Sequence, residues 1–167
     1  MATSTVKGDK AARAASRPVA TNRQARRDYE ILDTVECGLV LRGSEVKSLR
    51  ESKVQLTEAH ARIIQGEAWL IGLHVAPYSH AFGADGHNPD RDRKLLLRKD
   101  EIERLRLRLE RERLALVPLS LYFKEGRAKL ELGVGRGRRS FDKRAVIAAR
   151  DAARDTDRSL ARARRAD

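Results

Sequence analysis

Apolar and polar residues alternate along much of the middle of the chain, as they do in strands that bury one face. The first such run begins after Asp28, where Tyr29, Ile31, Leu39 and Leu41 alternate with polar residues. Residues 59–64 and 68–71 predict two more strands. Gln65-Gly66 predicts a turn between them, with the second strand ending by Pro77. The pattern therefore predicts a chain rich in antiparallel strands.

Two segments follow a helical period instead. Val46 and Leu49, with the aliphatic stem of Lys53, predict a short helix that begins after Gly43. The second helix has its apolar face at Ile102, Leu105 and Leu109.

Local signals also predict where the second helix begins and what precedes it. We expect Asp100 and Glu103 to form a capping box at its start, and the helix to end near Arg113. Residues 79–92 hold two glycines, a proline and several Asp and His residues, and are predicted to form an exposed loop. Lys94 and the three leucines after it lead out of that loop.

The predicted elements define a fold class. Residues 116–123 and 128–134 add two or three strands, with Glu125-Gly126 as a hairpin turn. About six short strands and two helices indicate a mainly β protein with peripheral helices. We expect a small OB-like β-barrel, because closure removes the exposed edges of short strands.

The predicted barrel covers residues 22–135 and is flanked by two different segments. Residues 1–21 have no apolar period and are predicted to be a disordered basic arm. Gly133, Gly135 and Gly137 are interpreted as a flexible joint. Residues 136–167 form a basic tail, in which an arginine recurs at every fourth position from 150 to 162. This tail has few large apolar residues, so we expect it to be disordered when free and helical against RNA.

The distribution of charge along the chain indicates the kind of partner that the protein binds. The chain carries a net charge of +12, but residues 29–135 hold 18 Lys and Arg against 17 Asp and Glu. The excess positive charge therefore lies at the two ends. A near-neutral module with basic ends is typical of proteins that bind a polyanion, and nucleic acid is the first candidate.

Candidate chemistry argues against an enzyme. A single cysteine, Cys37, excludes an internal disulfide and is interpreted as a packing residue. His74, His80 and His87 are interpreted as solvated loop residues, so no metal site is predicted. No nucleophile and base pair stands out, and no cofactor is expected. Without an apolar leader or membrane span, we expect a soluble, cytoplasmic, monomeric protein.

Several motifs, in order, resemble one family. They are NRQARRDY from Asn22, ECGLVLRGSEVKSLR from Glu36, RDRKLLL from Arg91, LSLYFK from Leu119 and GRRSFDKR from Gly137. In this order they resemble the SsrA-binding proteins, also called small protein B. The resemblance covers residues 22 to about 150.

The resemblance implies an OB-like barrel that binds the tRNA-like domain of transfer-messenger RNA and delivers it to stalled ribosomes. It assigns Asn22, Glu36 and Leu96 to the RNA-binding surface. The basic residues of the same motifs complete the predicted set, which adds Arg26, Lys47, Arg91, Arg93, Lys94 and Lys124. For Glu36 a second interpretation stays open, in which it pairs with a nearby arginine to fix its strand.

The resemblance also implies that the tail enters the empty mRNA path near the decoding centre of the ribosome and contacts rRNA. The predicted contacts are Gly137, Arg138, Arg139, Phe141, Asp142, Lys143, Arg144, Arg150, Arg154 and Arg158. Family members commonly have lysines at the positions of Arg138 and Arg139, and often a histidine at that of Phe141. Phe141 retains the ability to stack on a base.

Two other functions remain as alternatives. A general OB-type RNA-binding or ribosome-assembly protein would have the same charge pattern and fold. A nuclease or RNA-modifying enzyme comes third, because no catalytic set supports it.

Overall fold

A computed structural model describes residues 17–81, 83 and 86–166, which form nine strands and four helices. The elements up to the long loop are β1 (Ala20–Thr21), α1 (Arg23–Asp28), β2 (Tyr29–Leu39), α2 (Gly43–Arg50), β3 (Val54–Gln55), β4 (His60–Ile64), β5 (Glu67–Ile71) and β6 (His74–Val75). Those after it are β7 (Arg93–Leu96), α3 (Lys99–Glu112), β8 (Ala115–Lys124), β9 (Arg127–Gly137) and α4 (Ser140–Ala166).

Six antiparallel strands close into a barrel. Their order is β8–β4–β5–β7–β2–β9, and β9 pairs back with β8. β1 extends the sheet beside β8, and β3 pairs with β6 as a separate ribbon. The prediction of a small barrel of about six strands with peripheral helices is confirmed.

The apolar faces of these elements fill the barrel. Leucine and valine side chains at alternate strand positions are fully buried, among them Leu70, Leu121, Leu130, Leu132 and Val134. Helix α2 adds Leu49, which is also fully buried, and helix α3 adds Ile102 and Leu105. Burial of this kind stabilises the fold by about 1.5–3 kcal/mol for each large side chain.

The two predicted hairpins are present. In the turn between β4 and β5, Gln65 and Gly66 both have positive φ, at 50° and 75°. Two positive φ values define a type I′ turn, whose twist matches that of the flanking strands. Glu125 and Gly126 form the equivalent turn between β8 and β9.

Several local predictions need correction. β5 ends at Ile71, and His74–Val75 pair with β3 rather than extending β5 towards Pro77. Helix α3 begins two residues earlier than a capping box at Asp100 and Glu103 implies. The backbone N–H of Arg98 donates to Oε2 of Glu101 at 2.9 Å, so these two residues form the N-terminal cap.

The interpretation of Gly133 and Gly135 as a flexible joint is wrong. Both lie within β9, which pairs with β2 on one side and β8 on the other. A Cβ atom at Gly135 would lie 2.8 Å from the backbone oxygen of Glu30, and one at Gly133 would lie 3.1 Å from side chains of Ile31 and Leu119. These glycines allow β2 to approach β9 closely.

The ends of the predicted barrel also differ in detail. β1 lies inside the predicted arm, while residues 1–16 lie outside the described part of the chain. β9 runs on to Gly137, and residues 140–166 form one helix. The disorder of this tail in the free protein stays a prediction. No described helix has both the length and the apolar composition needed to cross a membrane.

Candidate nucleic-acid interface

One outer face of the barrel brings together Glu36, Leu96 and Lys124. Cys37, next to Glu36 in β2, is 3% exposed, so strand alternation turns Glu36 away from the core. Gly38 pairs with Leu96 of β7, whose side chain is 54% exposed. An aliphatic side chain that is this exposed, beside a carboxylate and a lysine, makes a mixed surface suited to contact with a partner.

Glu36 is held by two hydrogen bonds from β8. The Tyr122 hydroxyl donates to Oε2, and Lys124 Nζ donates to Oε1 at 3.2 Å. Partial burial raises the pKa of Glu36, but these bonds and the positive charges of Lys124 and Lys129 outweigh that effect and lower the pKa overall. Glu36 is therefore a fixed, ionised acceptor. Its partners are a tyrosine and a lysine, and not the arginine that the alternative interpretation of Glu36 expected.

Helix α2 adds positive charge next to this face. Lys47 is exposed, and its Nζ lies 5.3 Å from the ring centroid of Tyr78. Such a cation–π contact restrains the side chain while leaving its charge accessible.

Arg93 lies inside the protein, and its prediction as an RNA contact is wrong. Its side chain is 0% exposed, and its Nε donates to Oε1 of Glu45 at 2.9 Å. Its other nitrogens donate to the backbone oxygens of Leu73, Arg91 and Pro89. All three nitrogens of this buried guanidinium donate inside the protein, so it is not available to a phosphate at the surface.

Glu45 explains the position of both arginines and was not predicted from the sequence. It is fully buried in α2, and it accepts bonds from Arg91 at 2.8 and 2.6 Å and from the backbone N–H of Arg42 at 2.7 Å. Burial raises the pKa of Glu45, but its bonds to Arg91 and Arg42, together with the nearby charge of Arg93, lower the pKa overall. The sequence signal was a Glu at the third position of a helix, which is a capping position.

Asn22 is also mainly structural. It is 4% exposed and caps helix α1, since its Oδ1 accepts from the backbone N–H of Ala25 at 3.1 Å. Its Nδ2 donates to the backbone oxygens of Pro118 and Leu56, at 3.2 and 3.5 Å. Asn22 thus holds α1 against the barrel. Arg26, on the same helix, is exposed.

Lys94 and Arg91, the two remaining predicted contacts on the barrel, each have an acidic partner. Lys94 Nζ lies 2.7 Å from Oε1 of Glu67, and both side chains are more than 40% exposed. Arg91 is 23% exposed and spans Glu45 and the backbone oxygen of Val40. Lys94 can exchange its partner for a phosphate at low cost, because exposed ion pairs contribute only about 0–1 kcal/mol.

The tail leaves the barrel through one anchored turn. The backbone N–H of Arg138 donates to the oxygen of Asp28 at 2.8 Å, and Lys143 Nζ lies 3.7 Å from Asp28 Oδ1. Asp142 is half-buried, whereas Arg139 and Arg144 are exposed. The side chain of Phe141 lies outside the described part of the structure.

Beyond this turn the helix is solvent-exposed. Every residue from 147 to 164 is exposed, including Arg150, Arg154 and Arg158. Arg158 has Asp155 as a neighbour at 3.7 Å, an exposed pair one turn away. The stripe of arginines therefore faces solvent and is free to meet a polyanion.

The histidines differ from one another. His87 is only 9% exposed, with Nδ1 2.9 Å from Ser44 Oγ and Nε2 3.0 Å from the oxygen of Val75, so its interpretation as a solvated residue is wrong. His74 is at the surface beside Asp90, and His80 is exposed next to Ser79. Cys37 is buried as expected, and burial raises its pKa to about 12.

Comparisons with known proteins agree on one family. Residues 19–162 match the model of the SmpB protein family. The SsrA-binding protein of Anaeromyxobacter dehalogenans is 52% identical over 158 residues, covering 95% of this chain and 96% of the relative. That of Chloroflexus aurantiacus is 52% identical over 146 residues, or 87% of this chain and 91% of the relative.

A solved structure matches as well. It is described as tmRNA-SmpB at the centre of the bacterial ribosome, and the matching chain is 47% identical. The match has a TM-score of 0.62 and covers 78% of this chain and 95% of that one.

Proposed function

Because the chain belongs to the SmpB family, we propose that it binds the tRNA-like domain of transfer-messenger RNA and delivers that RNA to stalled ribosomes. In this role the protein acts as an adaptor on the ribosome, in the cytoplasm, and catalyses no reaction itself. The tagging of the incomplete peptide is carried out by the RNA and the ribosome.

The observation that carries this proposal is the extent of the similarity. About half of all positions are identical to SsrA-binding proteins over 95% of the chain, and the similarity continues into the basic tail. A general RNA-binding barrel would share the fold, but it would not be expected to match both the barrel and the tail of one family.

The geometry supports the outer face around Glu36 as the RNA surface. We assign RNA contacts to Glu36, Leu96 and Lys124, and also to the exposed side chains of Lys47 and Arg26. A fixed carboxylate can accept hydrogen bonds from base amino groups, and the lysines can meet phosphates. Arg93 and Asn22 act indirectly, because they hold α2 and α1 in place.

The exposed helix α4 supports the second half of the proposal. Its arginines at positions 150, 154 and 158 form a positive stripe that is exposed to solvent. We assign these residues to rRNA in the empty mRNA path, together with Arg139 and Arg144. Their charge-assisted bonds to phosphates would hold the helix there.

Glu36 provides the test of the RNA surface. We expect Glu36→Gln to weaken binding of the tRNA-like domain by roughly 5- to 150-fold, the worth of a specific base contact. The melting temperature should change little, because Gln can still accept from Tyr122. Fluorescence anisotropy with a labelled transcript of the domain measures the dissociation constant, and thermal unfolding checks the fold.

Asp33→Asn is the matched control, because Asp33 lies in the same strand and pairs with Arg108 at 3.1 Å. It should bind the RNA as the wild type does. An unchanged affinity for Glu36→Gln would show that this carboxylate only supports the strand. If the wild type bound rRNA fragments and unrelated RNAs equally well, the general RNA-binding alternative would be favoured.

A further inference from the structure

A groove opens next to the candidate RNA surface, between the end of α2 and the hairpin of β8 and β9. It has a volume of about 330 Å³. Its walls are mainly apolar and include Leu41, Val46, Leu96 and Phe123. Gly38 forms part of its floor, and a Cβ atom there would lie 3.3 Å from Leu96. A groove of this size and polarity suits a small flat ligand.

An arginine is stacked on the aromatic wall of this groove. Cζ of Arg50, in the last turn of α2, lies 4.5 Å from the ring centroid of Phe123. The ring holds the guanidinium in a fixed position, and the residue remains exposed. Guanidinium planes and aromatic rings are the two surfaces on which proteins stack unpaired bases.

The charged side chains that line the groove are positive. Arg127 and Lys129 line it beside Arg50. Within the described residues, none of these three forms an ion pair with a carboxylate, whereas Arg91, Lys94 and Lys124 each have one. Phosphates that flank an inserted base would therefore meet cations that are not held in an ion pair, although Lys129 lies within the electrostatic reach of Glu36.

We propose that this groove binds one unstacked nucleobase from a loop of the RNA, which lies against Phe123 and Arg50 while Arg127 and Lys129 hold the adjacent phosphates. The inference rests on the proposed RNA-binding function and names a contact within it. The faces of a nucleobase are flat and apolar, so they suit the apolar walls of the groove. The phosphates on either side of the base are negative, so they suit its cationic rim.

The test separates stacking from simple charge attraction. Arg50→Lys keeps the charge but removes the planar group, so it should weaken binding of the tRNA-like domain by at least about 5-fold, the lower limit for one stacked base. The dependence of affinity on salt should not change, because the number of phosphate contacts is the same. Arg42→Lys, at the residue that precedes the same helix, is the control, and it should change the affinity by less than about 2-fold.

A second measurement uses the wild-type protein, so it does not depend on the folding of any variant. Ultraviolet irradiation of the complex joins stacked rings covalently, and mass spectrometry should find a nucleotide on Phe123. If Arg50→Lys bound like the wild type, or if crosslinks formed only elsewhere, the groove would not hold a base. If the wild type did not bind this RNA at all, the proposed function itself would fail.

Discussion

At the scale of single residues, the buried carboxylate of Glu45 is the main determinant of local structure. It joins helix α2 to Arg91 and Arg93, at the start of β7. Removing one member of a buried ion pair leaves an unpaired charge, and this costs about 3–5 kcal/mol. The cluster thus fixes the helix that carries Lys47 and Arg50.

We therefore predict that Glu45→Gln destabilises the protein by about 3–5 kcal/mol at neutral pH, because Arg93 stays buried without its counter-charge. Urea unfolding measures the change in free energy. Glu67→Gln is the control, since it removes an exposed pair with Lys94 and should cost no more than about 1 kcal/mol. Equal effects of the two substitutions would contradict a buried ionic cluster.

The same cluster makes stability depend on pH. The pKa of Glu45 is lower in the folded protein than its ordinary value, so the ionised form is favoured by folding. Its contribution is fully present above the unfolded pKa of about 4.3 and is lost as the pH falls through the folded value. The same unfolding experiments in acid should therefore show a smaller difference between the wild type and Glu45→Gln.

At the scale of elements, the sequence predicts those turns and helices that are determined by residues close together in the chain. The hairpin at Gln65-Gly66 and helix α2 follow from short-range turn and helix signals. The requirement for a glycine at position 135 does not follow from such signals, because it comes from the close approach of Glu30, in a strand distant in sequence. The burial of Asn22 and Arg93 escapes prediction for the same reason, since their partners lie in other elements. Glu36 and Leu96 are predicted as RNA contacts because the family resemblance identifies them, and this stays a prediction.

Substitutions at Gly135 and Gly137 test whether these glycines serve a close contact between strands or a flexible joint. Gly135→Ala should destabilise the protein by about 1–3 kcal/mol, because its Cβ would lie 2.8 Å from the Glu30 oxygen. Gly137→Ala meets nothing within 4 Å and should change stability by less than about 0.5 kcal/mol. Chemical unfolding of the two variants gives the comparison. Similar small effects at both positions would restore the joint interpretation.

At the scale of the whole molecule, the barrel and the tail differ in their charge and in their exposure to solvent. The barrel has nearly equal numbers of acidic and basic residues, and many of its cations are paired. The tail helix carries exposed arginines and is anchored through its first turn, near Asp28. We therefore propose that the barrel binds the RNA and that the tail acts on the ribosome.

Truncation after Arg139 tests this division most directly, because it removes helix α4 but keeps the bond between Arg138 and Asp28. The truncated and full-length proteins are compared in RNA binding and in a reconstituted assay for peptide transfer to alanyl-charged transfer-messenger RNA on stalled ribosomes. We predict nearly unchanged RNA binding and abolished transfer. Loss of both activities, or retention of both, would contradict the division between barrel and tail.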